Sequence, residues 1–236
     1  MLNIIYVMIL GKGGQGLVYS HGKNKAVKRL PKNLFSNKEI YITKHLQNID
    51  GVSKLYDIIE DDSCYYMIMK RYEEYEKKDI KSYYKRLLEV VSNIHEYDVI
   101  HNDIKPYNIM SDEGDLILID YGSSLFATST DNVFSYSTPI YSSIESLSSK
   151  MCLKSDMWSI GVMMYYDLTG TYPYDGYSVF EIFRQIQTKS INFDIIKDIT
   201  AKDLIKSLLD KDLIKRLDAK QALNHDYFKN SIFKNM

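Results

Sequence analysis

The chain has 236 residues, 45% of them hydrophobic and 26% charged, which suits one or two compact units and excludes wholesale disorder. Thirty basic and thirty-one acidic side chains leave a formal net charge of −1, without the basic excess by which a general nucleic-acid binder neutralises phosphates. Cys64 and Cys152 are too few for a disulfide framework or a cysteine zinc site, and read as buried or incidental thiols of a reducing compartment.

Residues 1–10 are mostly apolar but have no basic flank and no small-residue cleavage site, and ten residues cannot cross a bilayer. Residues 4–10 therefore read as a first β-strand. Two more strands follow at 17–20 and 25–30, with turns at 11–16 and 21–24. A helix is expected over 35–47, then strands over 53–60 and 64–70 around Asp61-Asp62-Ser63. From about Tyr75 the period changes. Ile80, Tyr84, Leu87, Leu88, Val91 and Ile94 recur at spacings of three and four, marking one amphipathic helix of about five turns. The runs 109–110 and 116–119 flank Asp112-Glu113-Gly114 and predict a hairpin. After a Ser/Thr-rich stretch at 123–149, helices are expected at about 155–168, 179–188, 201–209 and 219–224. No apolar run approaches the roughly 20 residues of a spanning helix. The expectation is a soluble protein, cytoplasmic or otherwise intracellular, with no membrane or nucleic-acid partner. A strand-rich first part joined to a helical second part is an α+β, two-lobed arrangement.

The first segment with chemistry in it is Gly11-Lys12-Gly13-Gly14-Gln15-Gly16-Leu17-Val18. Glycines at this spacing let a backbone approach a polyphosphate and point amide N–H groups at its oxygens. A dinucleotide-binding loop has the same glycines, but there the third opens a helix and an acidic residue about 20 positions on belongs to the same βαβ unit. Here another strand follows, so a strand–loop–strand flap fits better, and a tight hairpin with no ligand is the plain alternative. Ala26-Val27-Lys28 then ends a strand on a lysine, and Glu39 on the next helix is placed to pair with it. Taken singly, each is also what a solvated surface charge looks like. The densest segment is His101-Asn102-Asp103-Ile104-Lys105-Pro106-Tyr107-Asn108, followed after eleven residues by Asp120-Tyr121-Gly122. Asp103 can accept a hydroxyl proton, Lys105 can neutralise a phosphoryl group in transit, and Asn108 and Asp120 can offer oxygen to Mg²⁺.

In this order the segments resemble the signature set of eukaryotic-type protein kinases, over nearly the whole chain from about residue 6 to 228. Ser137-Thr138-Pro139-Ile140-Tyr141-Ser142-Ser143-Ile144-Glu145, Asp156-Met157-Trp158-Ser159-Ile160-Gly161-Val162, Gly170-Thr171-Tyr172-Pro173-Tyr174 and Arg216 continue the series. The resemblance implies one bilobal kinase domain over 1–236 with no appended regulatory module. A small β-rich lobe with one main helix would take about 1–69, a hinge 70–72, and a larger helical lobe 73–236. It implies transfer of the γ-phosphoryl of ATP, with Mg²⁺, to a protein hydroxyl. Leu10 and the loop Gly11, Lys12, Gly13, Gly14, Gln15, Gly16, Leu17, Val18 would cover the nucleotide. Lys28, held by Glu39, would bind the α- and β-phosphates, Asp120 and Asn108 would hold Mg²⁺, and Asp103 would orient the attacking hydroxyl. Val18 and Ala26 would wall the adenine above and Met110 below, with Met69 as gatekeeper and Glu76 reaching the ribose. Lys105 and Thr138 are the serine/threonine-kinase pattern, so the expected partner is a protein with a Ser or Thr acceptor. Glu145 and Arg216 would form a buried ion pair.

The chain departs from the family at several points. Asn102 replaces the arginine that pairs with a phosphorylated activation loop, so activity is expected not to depend on phosphorylation read there. Asp-Phe-Gly is Asp-Tyr-Gly, Ala-Pro-Glu is Ser143-Ile144-Glu145, and Tyr107 and Tyr166 stand where kinases preferring basic substrates often carry acids. A kinase-like scaffold without transfer would ordinarily have lost Lys28, Asp103, Asn108 or Asp120, and all four are present.

Overall fold

Short runs of alternating Val, Ile, Tyr and Met build the first part of the protein as an antiparallel sheet. The structure is a computed structural model that describes residues 8–13, 16–128 and 138–229. Strands β1 (Ile9–Gly13), β2 (Gly16–His21) and β3 (Lys25–Pro31) precede helix α1 (Leu34–Leu46), and β4 (Leu55–Glu60) and β5 (Cys64–Lys70) complete a five-stranded sheet in the order β1-β2-β3-β5-β4. The turn expected over 11–16 is tighter than its glycines suggest. Gly11, Lys12 and Gly13 remain in the ladder with β2, and Gly13 pairs with Gly16. Gly14 and Gln15, and the expected strand residues 4–7, lie outside the described residues. Gly16 answers to packing as well as to any ligand, because a Cβ there would sit 2.3 Å from the Arg29 carbonyl oxygen of β3.

Helix α1 begins with a capping box: the Asn33 side chain accepts the Ser36 N–H at 3.0 Å and the Ser36 hydroxyl accepts the Asn33 N–H at 3.0 Å. Its Ile42 and Leu46 are fully buried and belong to the large core of the helical part, whereas the sheet has its own small cluster of Leu30, Leu55 and Met67. Helix α1 is thus fastened to the second part of the chain while lying against the first.

Two-residue strand β6 (Glu73–Glu74) leads to α2 (Ile80–Glu96), which is capped by Asp79 accepting the Ser82 N–H at 2.7 Å. Strand β7 (Val99–Ile100) precedes the hairpin β8 (Ile109–Asp112) and β9 (Asp115–Leu118), and β10 (Leu125–Phe126) returns to pair with β7. Between β8 and β9 the two turn residues, Glu113 and Gly114, have φ of 53° and 96°, the positive values that a two-residue hairpin needs. The remaining helices are α3 (Ile144–Leu147), α4 (Leu153–Thr169), α5 (Val179–Thr188), α6 (Ile199–Leu208) and α7 (Ala219–Leu223). Helix α4 is buried from Ser155 to Tyr165 and forms the axis of this part. Beside it Arg216, wholly buried, pairs with Glu145. Among the described residues no helix is long and apolar enough to cross a membrane.

The result is an α+β protein, a sheet-rich first region against a helical second region. Besides the chain connection after β5, α1 and the strand pair β8–β9 join the two regions, the latter where Leu118 N–H donates to Gly51 carbonyl at 2.8 Å.

Candidate active site

A cleft of about 780 Å³ lies between the sheet and the helical region. Period-two alternation puts Ala26 and Lys28 on the same face of β3, toward this cleft. Met69, the partner of Ala26 on β5, lines it as well. Glu39 comes from α1, and Asp120 follows β9. The Lys28 ammonium bonds both carboxylates, Glu39 Oε1 at 2.6 Å and Asp120 Oδ1 at 2.6 Å. Burial by itself would lower the pKa of Lys28, but the two carboxylates outweigh it and hold it above its ordinary value. Burial raises Glu39 in spite of Lys28. For Asp120 burial pulls upward too, but the attraction and hydrogen bond of Lys28 prevail and its carboxyl stays below the ordinary value. The Asp120 side chain keeps 41% of its surface open to the cleft. One ammonium faces two carboxylates, so the cluster keeps an excess negative charge on the open side.

Asp120 is aimed this way by its backbone, at φ 65° and ψ 80°, and by its neighbour. The Tyr121 ring turns inward against His101, 5.1 Å between centroids, with its hydroxyl donating to Leu118 carbonyl at 3.2 Å. Burial holds the Tyr121 phenol well above its ordinary pKa, so it remains a neutral donor.

Across the cleft Asp103 is held on both oxygens. Its Oδ1 accepts the Thr138 N–H at 2.9 Å and the Thr138 hydroxyl at 3.0 Å. Its Oδ2 accepts Lys105 Nζ at 2.7 Å and Asn108 Nδ2 at 3.2 Å. Lys105 also reaches the Thr138 hydroxyl at 2.8 Å, and Asn108 Nδ2 donates to the Asp103 carbonyl at 2.8 Å. The amide hydrogens of Asn108 are therefore committed to Asp103, which leaves its oxygen as the acceptor it can offer. Ser137, next to Thr138, lies outside the described residues.

The loop that carries Asp103 is fixed by a residue that spacing did not single out for a role. Asp156, fully buried in the first turn of α4, accepts the backbone N–H of His101 at 2.8 Å and of Asn102 at 2.8 Å, and its Oδ2 lies 2.9 Å from His95 Nε2. The available signal was its place at the head of the segment Asp156-Met157-Trp158-Ser159-Ile160-Gly161-Val162, which carried no role for it. Asn102 itself has φ 65°, a conformation that asparagine tolerates, and its amide donates to the Ser123 carbonyl at 3.1 Å.

Of the sequence-derived candidates, Leu10, Gly11, Lys12, Gly13, Gly16, Val18, Ala26, Lys28, Glu39, Met69, Asp103, Lys105, Asn108, Met110 and Asp120 line this one cleft. Leu17 does not, because alternation along β2 sends it away from its neighbours Gly16 and Val18. Glu76 does not line it either. Glu74 and Tyr75 line the cleft, while the Glu76 side chain is 84% exposed with Lys78 Nζ at 3.9 Å. The expected hinge residues Lys70, Arg71 and Tyr72 line the cleft as well, and so do Thr43, Ser53 and Ile119, which read in sequence as ordinary core or loop.

The protein kinase domain family matches residues 5–228. Calcium-dependent protein kinase 5 of Plasmodium berghei is 29% identical over 96% of this chain and 45% of its own length. The human hormonally up-regulated neu tumor-associated kinase is 31% identical over 78% of this chain and 30% of its own length. The chain thus spans less than half the length of these relatives. With the family match running from the glycine loop past Arg216, and a cleft that gathers its paired charges, the chain belongs to the protein kinase domain family.

Proposed function

We propose that this chain is a single bilobal serine/threonine kinase domain that transfers the γ-phosphoryl group of ATP, with Mg²⁺, to Ser or Thr hydroxyls of protein substrates. Its sheet-rich lobe takes about residues 1–69, its hinge 70–72 and its helical lobe 73–236. The observation that carries the reading is one cleft in which Lys28, bridged between Glu39 and Asp120, faces Asp103 bound to Lys105, Thr138 and Asn108.

The γ-phosphorus receives the acceptor oxygen, its bond to the bridging oxygen of ADP breaks, and the hydroxyl proton goes to Asp103. Such a transfer asks the protein for positioning and electrostatic stabilisation more than for covalent chemistry. Asp103 is oriented by four donors before any substrate arrives. Lys105 places a positive charge 2.7 Å from the Asp103 carboxylate, where it can also meet the phosphoryl group. Lys28 is charged, and it can exchange its bond to Asp120 for phosphate oxygens while Glu39 continues to hold it. The backbone of β1 lies open at Gly13, which lines the cleft and where an added Cβ would meet nothing. Val18 and Ala26 above, Met110 below and Met69 at the back give the adenine an apolar slot.

The donor set fits Mg²⁺: Asp120 presents an ionised carboxylate and Asn108 a free amide oxygen, both hard oxygen ligands. When bound, Mg²⁺ neutralises developing charge on the phosphate oxygens.

The test is transfer from labelled ATP with Mg²⁺ to a mixture of Ser/Thr substrates. Wild type is expected to label Ser or Thr, whereas Asp103→Asn and Lys28→Met fall by at least about a hundredfold. No transfer by wild type with ATP still bound would replace this reading by that of a kinase-like scaffold.

A further inference from the structure

Helix α1 is gripped from two sides. Glu39 points to Lys28, and at 3.6 residues per turn Tyr41 and His45 lie about 200° and 240° around the helix from it. On that opposite face the Tyr41 and His45 rings stack at 6.3 Å, and Phe126 stands edge-on to both, at 5.8 Å from Tyr41 and 5.4 Å from His45. Tyr97, one residue beyond α2, meets His45 at 5.6 Å. Aromatic pairs at these separations and angles attract beyond the area they bury.

Phe126 is itself well anchored. It is six residues past Asp120 and ends β10, where it pairs with Val99 while Leu125 pairs with Ile100. On one side the Ser124 hydroxyl donates to the His101 carbonyl at 3.0 Å, and on the other the Ala127 N–H donates to the Asp98 carbonyl at 2.7 Å. The segment that follows Asp120 is thereby joined to the strand that leads into Asp103, and its last ring bears on the helix that carries Glu39.

We propose that Phe126, together with Tyr41 and His45, is an aromatic backstop that positions α1 so that Glu39 meets Lys28. This rests on the kinase reading and adds to it the device that sets the helix. A swing of α1 away from Lys28 moves the helix toward its Tyr41–His45 face, which Phe126 occupies. Phe126 touches neither nucleotide nor acceptor; it is a positioning residue that acts through Glu39.

The experiment has two arms. In the first, kcat/KM is measured for Phe126→Ala in wild-type and in Glu39→Gln backgrounds. The expected result is a loss of about tenfold in wild type and less than about twofold once Glu39 is gone, with Phe126→Tyr restoring activity. In the second, hydrogen exchange is followed on the α1 and α2 amides, which needs no phosphoryl transfer. Phe126→Ala is expected to speed exchange in 34–46 by about tenfold and to leave 80–96 unchanged. Equal losses in both backgrounds, no loss at all, or exchange accelerated alike in both helices would overturn the proposal. Should Phe126→Ala fail to fold, Tyr41→Ala carries both arms, since that ring is largely exposed. Inactive wild type would defeat the kinase reading alone, while the exchange arm still decides the backstop.

Discussion

Replacing Arg216 by methionine separates charge from packing in the helical region. All three guanidinium nitrogens are used although the side chain is wholly buried. Nε donates to Asp210 carbonyl at 2.8 Å, Nη1 to Lys154 carbonyl at 3.0 Å and to Glu145, and Nη2 to Glu145 Oε2 at 3.3 Å. The guanidinium also lies 5.0 Å over the Trp158 ring. Methionine keeps much of the apolar stem but leaves Glu145, 7% exposed, with the Ser155 hydroxyl at 3.0 Å in place of a cation. Stranding one member of a buried pair costs about 3–5 kcal/mol. At roughly 2–4 °C per kcal/mol for a protein of this size, Tm should drop by roughly 6–20 °C. In wild type, burial pushes the Glu145 carboxyl up, but the hydrogen bonds and charge of Arg216 outweigh it and hold the pKa below its ordinary value. A depressed carboxyl stabilises the fold above its unfolded pKa, near 4.3, and that contribution is lost as pH falls through the folded value. Without Arg216 burial is opposed by no cation, the folded pKa moves above the unfolded one, and the carboxyl destabilises the fold progressively as pH rises. The difference between variant and wild type should therefore widen from pH 5 to pH 8, read as urea midpoints at constant m-value. A cost below about 1 kcal/mol, or one that does not change with pH, would refute the argument.

Asp156→Asn turns one acceptor of the catalytic loop into a donor facing a backbone N–H. It should cost about 3 kcal/mol in chemical denaturation and lower kcat by at least about tenfold, with KM for ATP nearly unchanged. Tyr121→Phe removes only the 3.2 Å bond to Leu118 carbonyl, so stability should change by about 1 kcal/mol or less and transfer by less than about twofold. Phosphatase treatment of the purified protein should leave activity within about twofold, because Asn102 holds the Ser123 carbonyl through a neutral amide and offers no cation to a phosphate. Loss of activity that a single loop phosphosite restores would reverse that conclusion.

How much of this was legible in sequence depended on the length and regularity of each signal. Strand β5 and helix α5 have the same ends in the structure as in the periodicity, Cys64–Lys70 and Val179–Thr188, because turn or capping residues flank regular patterns there. The two-residue strands β6, β7 and β10 escaped, since two residues carry no period and their pairing is decided by distant partners. That Asp103, Lys105 and Asn108 gather in one cleft was readable because they stand at fixed local spacing on one loop. Glu76 shows where that logic stops: spacing places it near the hinge, but it does not say how far the side chain stands open, here 84%, beyond the residues that line the cleft. Leu17 is parted from Gly16 and Val18 at shorter range, because a strand hands alternate residues of a continuous motif to opposite faces. Asp156 and Phe126 mark the further limit. Each acts on a segment more than 50 residues away (Asp156 on His101 and Asn102) or 80 residues away (Phe126 on Tyr41 and His45), so local spacing does not say what they hold. What spacing cannot reveal is which residues hold the chemical groups still. Here those are a buried carboxylate under the catalytic loop and an aromatic ring behind the helix of Glu39.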